Sequence, residues 1–133
     1  MAGETDLHKL LASLSPRLNP GEFVFCCVKD AEVLATAQAL GSFRESEGTT
    51  LILARAEAER LNLAYDYVAA WITLEVHSAL AAVGLTAAFA TALGRANISC
   101  NVIAGYHHDH LFVAHADADK ALAVLRRLAV EGC

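Results

Sequence analysis

The chain has 133 residues, of which 56% are hydrophobic and 19% charged, and its net charge at pH 7 is −5. This length allows one compact domain or two very small fused modules, and it buries enough surface to fold without a disulfide or a metal. The acidic balance and the scattered basic residues argue against a nucleic-acid partner, because binding to phosphates needs clustered lysine and arginine.

The N-terminal residues favour a cytoplasmic protein. Glu4 and Asp6 stand where a secretory signal carries positive charge. The longest apolar run, residues 80–94, is about fifteen residues long and too short to span a bilayer. We therefore expect no contact with a membrane. We also expect the cysteines, which lack CxxC spacing, to be buried reduced thiols.

The first predicted element is a short amphipathic helix in residues 7–14, LHKLLASL, packed on the outside of the domain. Pro16 and Pro20 follow it in the sequence. We interpret residues 1–20 as an N-terminal extension, which these prolines link to the first strand. That strand is predicted in the apolar run EFVFCCV, residues 22–28.

An internal repeat with an offset of sixty residues organises the chain. Residues 51–60 read LILARAEAER and residues 111–120 read LFVAHADADK, with four identical positions and mostly conservative exchanges elsewhere. Each copy is an apolar run followed by alternating alanine and acidic residues. This pattern predicts a strand that leads into a helix, whose acidic first turn interacts favourably with the helix dipole.

In the second copy, further elements precede the repeated segment. Apolar and polar residues alternate through residues 72–77, which predicts a half-buried strand. A single apolar stripe through residues 85–96 predicts a helix, and Asn97 suits its left-handed C-terminal cap. A hairpin follows, with its turn at residues 106–109, YHHD.

The first copy has the same order of elements but is shorter. Its first helix, in DAEVLATAQAL, is predicted to be reduced or irregular. Its hairpin turns at residues 45–48, and its second helix lies around residues 57–63. The strand AWITLEV then closes the first copy and opens the second.

Each copy therefore reads βαββα followed by another β, which is the ferredoxin-like order of an α+β fold with antiparallel sheets and helices on one face. We place the first copy at residues 21–66 and the second at residues 67–133. The second copy lacks a last strand, which we expect from the segment after Pro20 or from a second subunit. With the apolar excess, this predicts a homodimer; the alternative is pairing of the two copies within a monomer.

Two such units in tandem, with a glycine in the loop between first strand and first helix, resemble ACT domains. The resemblance rests on the strand WITLEV, the loop HSALAAVGLTA, the helix AAFATAL and the phrase Ala96-Asn97-Ile98-Ser99. The hairpin GYHHDHLFV is similar to the Tyr-x-x-Asp-x-x-Leu-Val hairpin of ACT proteins that sense arginine. The resemblance covers about residues 20–130 and implies a regulatory or sensor module that binds an amino acid or a related metabolite without a cofactor.

We place the ligand site between the glycine loop and the hairpin tip. The loop departs from the Asp-x-Pro-Gly phrase frequent in ACT domains, but its free N–H groups suit an α-carboxylate. The hairpin offers a carboxylate for an α-ammonium and an aromatic wall. We expect loop and tip at opposite ends of one copy's sheet, so that a second unit completes the site. The candidate residues are Val83, Gly84, Leu85, Thr86, Gly105, Tyr106 and Asp109.

Two other functions stay open. His107, His108 and His110 surround Asp109, and imidazole and carboxylate are zinc ligands, so a metal-binding hairpin is the alternative. The repeat, however, places His110 and His115 at sheet-end positions that we expect to face solvent. A third hypothesis is a structural module whose sheet edge docks another chain. The chain has no nucleophile, phosphate-loop, dinucleotide or zinc-protease motif, so we do not expect an enzyme.

Overall fold

The structure, a computed structural model, describes residues 6–76 and 83–131. Its helices are α1 (Leu7–Ser13), α2 (Ala31–Thr36), α3 (Arg55–Arg60), α4 (Leu85–Arg95) and α5 (Ala118–Glu131), the last preceded by a 3-10 turn (His115–Asp117). Its strands are β1 (Ser15–Val28), β2 (Gly41–Glu45), β3 (Gly48–Ala54), β4 (Val68–Glu75), β5 (Asn101–Ala104) and β6 (Asp109–Ala114). Among the described helices, none is long and apolar enough to cross a bilayer.

The chain forms two compact units. One, here called the inserted unit, is Gly21–Ala69; the other, the split unit, combines Met1–Pro20 with Ala70–Cys133. The predicted division placed boundaries after residues 20 and 66 and treated residues 1–20 as a separate extension. The order of helices and strands confirms the predicted α+β, ferredoxin-like plan.

The inserted unit contains the antiparallel sheet β2-β3-β1, with Glu45 opposite Gly48 at the turn of the predicted hairpin. Its first helix, α2, has six residues, which confirms the expected reduction. Alternate residues of β1 and β3 form its core with α3, because successive side chains of a strand point to opposite faces. The buried core residues are Val24, Cys26, Val28, Leu51, Leu53 and Ala58.

The split unit contains the sheet order β1-β4-β6-β5, with α1, α4 and α5 packed on one face. The predicted alternation in β4 is confirmed, since Ile72, Leu74 and Val76 all lie in the core beneath these helices. The predicted stripe of α4 is confirmed by the burial of Leu85, Phe89 and Leu93. Other fully buried side chains of this core are Leu10, Leu111, Val113, Ala121 and Leu125.

The first strand begins earlier than predicted, and this corrects the interpretation of the N-terminal residues. β1 runs from Ser15 rather than from Glu22, and its residues up to Pro20 belong to the split unit beside β4. The last strand of the second copy is therefore supplied by residues before Pro20, and not by the segment after it or by a second subunit. The pairing of β1 with β3 begins at Phe23, so this half of β1 is an edge strand within the split unit, and edge strands tolerate proline.

Helix α1 was predicted correctly, but its packing was not. Leu10 and Leu11 are buried in the core of the split unit, together with Leu14 just after the helix. The helix thus forms part of the core instead of lying on the outside. Asp6 caps it by accepting a hydrogen bond from the Lys9 backbone N–H at 3.2 Å.

The cysteines only partly follow the expectation of buried thiols. Cys26 and Cys27 point to opposite faces as predicted, so that Cys26 is buried and Cys27 exposed. Cys100 is half-buried, and its burial raises the pKa of the thiol to about 11.

Glu57 joins α3 to the chain that follows α2. Its carboxylate accepts hydrogen bonds from the Arg60 guanidinium at 2.8 Å and from the Gln38 backbone N–H at 3.0 Å. The Arg60 bonds, followed by the Gln38 bond, lower the pKa of Glu57 from 4.5 to about 2. The ionised carboxylate is thus favoured in the folded state.

The substitution Glu57→Gln should reduce the dependence of stability on acid pH. A depressed carboxylate pKa stabilises the folded state above the unfolded-state value of 4.5, and this contribution is lost as pH falls to about 2. We expect Glu57→Gln to be less stable than the original chain at about pH 6 and to approach it at about pH 3, as measured by urea unfolding. Glu131→Gln, at an exposed carboxylate, is the control; an equal deficit at both pH values would contradict the role of Glu57.

Candidate functional site

The β5–β6 hairpin closes through a turn that requires glycine at position 105. Ala104 pairs with Asp109, and the Gly105 N–H donates to the His108 carbonyl oxygen at 2.9 Å. A Cβ atom at Gly105 would lie 2.8 Å from that same oxygen, closer than real Cβ contacts allow. Gly105 therefore shapes the turn that carries the candidate residues of the tip.

The hairpin tip presents an aromatic surface to solvent. The Tyr106 side chain is 76% exposed, and its ring contacts the His107 ring edge-on, with centroids 5.0 Å apart. Such an arrangement leaves one face of the tyrosine ring and its hydroxyl available to a ligand.

Asp109 is half-buried at the base of the tip, and its carboxylate makes no hydrogen bond or ion pair with any of the described residues. Burial raises its pKa, and the nearby charge of His110 offsets this only in part. A carboxylate that is partly desolvated and unpaired gains most from a cationic partner.

The start of α4 offers uncommitted backbone donors. Gly84 is the N-cap residue with φ of 100°, and no side chain of the described residues caps the helix there. Among the described residues, the N–H groups of the first turn therefore have no side-chain partner, and together with the helix dipole they favour an anion. Nearby, a Cβ atom at Gly84 would lie 3.2 Å from a methyl carbon of Leu7 in α1.

The other candidate residues of this loop have different surroundings. Val83 is 83% exposed, and Thr86 is exposed in the first turn of α4 rather than at its N-cap. Leu85 is buried in the core, so only its backbone faces the loop. Residues 77–82 of the predicted loop lie outside the described residues.

The corresponding helix start in the inserted unit is already occupied. Asp30 is the N-cap of α2, and its carboxylate accepts from the backbone N–H groups of Glu32 at 2.9 Å and Val33 at 3.4 Å. Gly84 holds the equivalent position before α4 and has no side chain that could do the same. Of these two corresponding helix starts, only that of α4 lacks a side-chain cap among the described residues, so it is the one available to an external carboxylate.

The hairpin tip lies towards the end of β4 at which that strand leads on to α4, whereas the sequence led us to expect it at the opposite end. His110 contacts Thr73 at 3.2 Å, whereas Phe112, two residues later, stacks on Trp71 with ring centroids 6.4 Å apart. β6 thus runs antiparallel to β4, so that the hairpin tip faces the end of β4 from which the loop to α4 starts. Among the described residues, no hydrogen bond or ion pair joins Val83–Thr86 to the hairpin.

His110 is not the solvent-facing residue that the repeat predicted. Its Nδ1 atom accepts a hydrogen bond from the Trp71 indole N–H at 3.0 Å and lies 3.2 Å from the Thr73 hydroxyl. The buried Asn19 side chain donates to Thr73 Oγ1 at 2.9 Å and to the Trp71 carbonyl oxygen at 3.3 Å. His115 is exposed, as expected.

This network extends to the surface through an ion pair. Arg17 donates from Nη1 to Asn19 Oδ1 and from Nε to Glu75 Oε1, both at 2.8 Å. Sequence reasoning missed these side chains as a group. The alternation of β4 places Trp71, Thr73 and Glu75 on the face opposite the helices, and three polar or aromatic residues on one face were the available signal.

The metal hypothesis finds no preformed centre in the described part of the chain. Residues 6–76 and 83–131 contain no group of three or more histidine, cysteine, aspartate or glutamate side chains that could hold a metal ion. The rings of His107 and His108 are 6.3 Å apart and tilted, and His110 is committed to Trp71.

The geometry at Gly84 predicts a stability loss for Gly84→Ala. Alanine would have to adopt a left-handed φ and would press on Leu7, so we expect the free energy of unfolding to fall by about 1–2 kcal/mol. The matched control is Gly94→Ala in the same helix, where a Cβ atom meets nothing within 4 Å. That change should stabilise the chain by about 0.5–1 kcal/mol. Equal effects of the two changes in urea unfolding would contradict the strained cap.

Comparisons with known proteins agree with the architecture. Two family models, both described as ACT domain, match residues 2–70 and residues 67–127. The search of curated proteins finds no match to the chain.

Solved structures share the fold over nearly the whole chain. A protein of unknown function from Vibrio cholerae, described as a possible transport protein, is 47% identical, with a TM-score of 0.84, covering 92% of this chain and 95% of that one. A protein from Agrobacterium tumefaciens is 16% identical, with a TM-score of 0.69 over 87% and 89% of the two chains. The ligand-free regulatory subunit of aspartate kinase from Thermus thermophilus is 7% identical, with a TM-score of 0.59 over 86% and 97%.

Proposed function

Since the chain belongs to the ACT-domain family, we propose that it is a regulatory protein whose split unit binds a free amino acid or a closely related metabolite. It acts by binding rather than by catalysis, and it acts in the cytoplasm. The likeness to a regulatory subunit of aspartate kinase supports the regulatory role by analogy of fold.

The observation that carries the proposal is the unpaired carboxylate of Asp109. It is half-buried, its pKa is raised by desolvation, and none of the described residues gives it a hydrogen bond or an ion pair. An α-ammonium group would supply both. Binding of an amine at this position should therefore return the pKa of Asp109 towards its ordinary value.

The α-carboxylate of the ligand would bind at the start of α4. The helix has eleven residues, none of the described side chains caps its first N–H groups, and Gly84 contributes no side chain of its own. Val83, Leu85 and Thr86 would contribute backbone groups, while Tyr106 and Gly105 would line the side-chain end of the ligand.

The inserted unit supports a stoichiometry of one ligand per chain. Asp30 already occupies the N–H groups at its corresponding helix start, so that its own carboxylate stands where a ligand carboxylate would. We therefore assign ligand binding to the split unit alone.

The substitution Asp109→Asn should weaken amino-acid binding without weakening the fold. A thermal-shift screen of the free amino acids first identifies the ligand, since a concentration of one hundred times Kd adds roughly 2.7 kcal/mol of stability. Loss of the charge-assisted bond should then lower affinity by one to two orders of magnitude, about 1.5–3 kcal/mol, in calorimetry. Stability should not fall, because the raised pKa of Asp109 shows that its charge is unfavourable in the unliganded fold.

The matched control for this test is Asp66→Asn, at an exposed aspartate of the inserted unit. It should bind the same amino acid with the affinity of the original chain. Equal amino-acid affinity of the Asp109 and Asp66 variants would contradict the proposed ligand site.

We also propose that the protein is a homodimer. Of the two reasons for this prediction, the missing last strand of the second copy no longer applies. Residues before Pro20 supply the strand that a second subunit was expected to provide. The apolar excess remains, with Phe43 73% exposed and Val130 86% exposed. Light scattering should give twice the 14.1 kDa of one chain, and a particle of 14.1 kDa would exclude the dimer.

A further inference from the structure

The hydrogen bond between Trp71 and His110 determines which form of the histidine the structure accepts. An indole N–H can only donate, so His110 Nδ1 must accept, and the proton of the neutral ring is on Nε2. The Thr73 hydroxyl is also consistent with this neutral tautomer of His110. Its oxygen accepts from Asn19, which leaves its own proton free to point at Nδ1.

The other edge of the His110 ring rests against the turn of the hairpin. A Cβ atom added at Gly105 would lie 3.1 Å from His110 Nε2 and 3.3 Å from Cδ2. The ring therefore lies directly between the sheet face, where Trp71 holds it, and the turn that carries Tyr106 and Asp109. A displacement of the ring would therefore change the contact between His110 and Gly105 that supports the turn.

We propose that His110 is a positioning residue that holds the hairpin tip in place only as the neutral imidazole. A proton on Nδ1 would face the Trp71 N–H, donor against donor, and the bond between them would be lost. Thr73 can rotate its hydroxyl and accept the new proton, but Trp71 has no acceptor to offer. Acidification would thus release the ring from Trp71 and loosen the turn.

The charged groups around His110 shift its pKa in opposite directions. Burial of the ring is the main cause of its lowered pKa, and the charges of His108 and Arg17 add to it, whereas Asp109 opposes it. Glu75, the remaining charged group on this face of β4, is paired with Arg17. Because the folded-state pKa is below the ordinary value of 6.5, the stabilising neutral form is complete above 6.5 and is lost as pH falls through the pKa of His110.

Trp71 is the only tryptophan of the chain, so its fluorescence reports this contact directly. We expect its emission to change in a one-proton transition with a midpoint below about 6.5 when the unliganded protein is titrated from about pH 8 to about pH 5. His110→Gln should remove the transition, since the glutamine carbonyl can accept from Trp71 at every pH. His107→Gln, at the exposed neighbour on the tip, is the control and should retain it. A transition that persists in His110→Gln would overturn the proposal.

A substitution of Trp71 tests the same hydrogen bond by removing its donor. Trp71→Phe keeps an aromatic ring against Phe112 but removes the N–H donor that opposes a proton on Nδ1, so the pKa of His110, measured by NMR, should rise. An unchanged pKa would show that Trp71 does not control the protonation of His110.

The effect on ligand binding is a separate test that rests on the proposed function. Amino-acid affinity should fall below the midpoint of the Trp71 transition in the original chain and stay level in His110→Gln. Affinity that stays level in the original chain through a proven transition would overturn the link to the tip. If no amino acid binds, the proposed function fails, while the titration of Trp71 still decides the role of His110.

Discussion

The buried amide of Asn19 links the first strand of the split unit to the neighbouring strand of its sheet. This side chain joins residues from opposite ends of the unit's sequence, since it donates to Thr73 and to the Trp71 carbonyl and accepts from Arg17. A buried amide without partners would be costly, by roughly 1–3 kcal/mol, so this half of β1 stays beside β4. Through Thr73, the same network reaches His110 and the hairpin.

The two copies share one plan but differ at the start of the first helix. The inserted unit places Asp30 at the N-cap, and the split unit places Gly84 there with a left-handed φ of 100°. In the first case the helix satisfies its own N–H groups and becomes a closed structural element. In the second case the chain accepts a strained, side-chain-free cap, and such strain is typical of sites that approach a ligand closely.

Two carboxylates show how hydrogen-bond partners decide the direction of a pKa shift. Glu57 has an arginine and a backbone N–H as partners, and its pKa falls to about 2. Asp109 is partly desolvated without a hydrogen-bond partner among the described residues, and its pKa rises. The first group stabilises the fold in its charged form. The second is more favourable when neutral, or when a cation binds it, which is why we propose it as a ligand-binding group.

The sequence by itself determined the local elements, because their signals are periodic and short-range. The alternation through Ile72 and Leu74, the stripe from Leu85 to Leu93 and the left-handed Asn97, with φ of 61°, were all predictable. Most of the candidate site, including Gly84 and Asp109, was also named from sequence, by resemblance and local chemistry. The direction of the hairpin relative to β4 was not.

Tertiary structure decided what joins residues that are distant in the chain. The strand before Pro20 fills the last position of the second copy through contacts 52 to 58 residues apart, between Arg17 or Asn19 and β4. His110 is held by Trp71, 39 residues away, and was therefore misread as solvent-facing. Local periodicity predicts on which face of a strand a side chain lies. It does not tell which strand or ring lies opposite, since that depends on how the buried polar groups of the whole unit find partners.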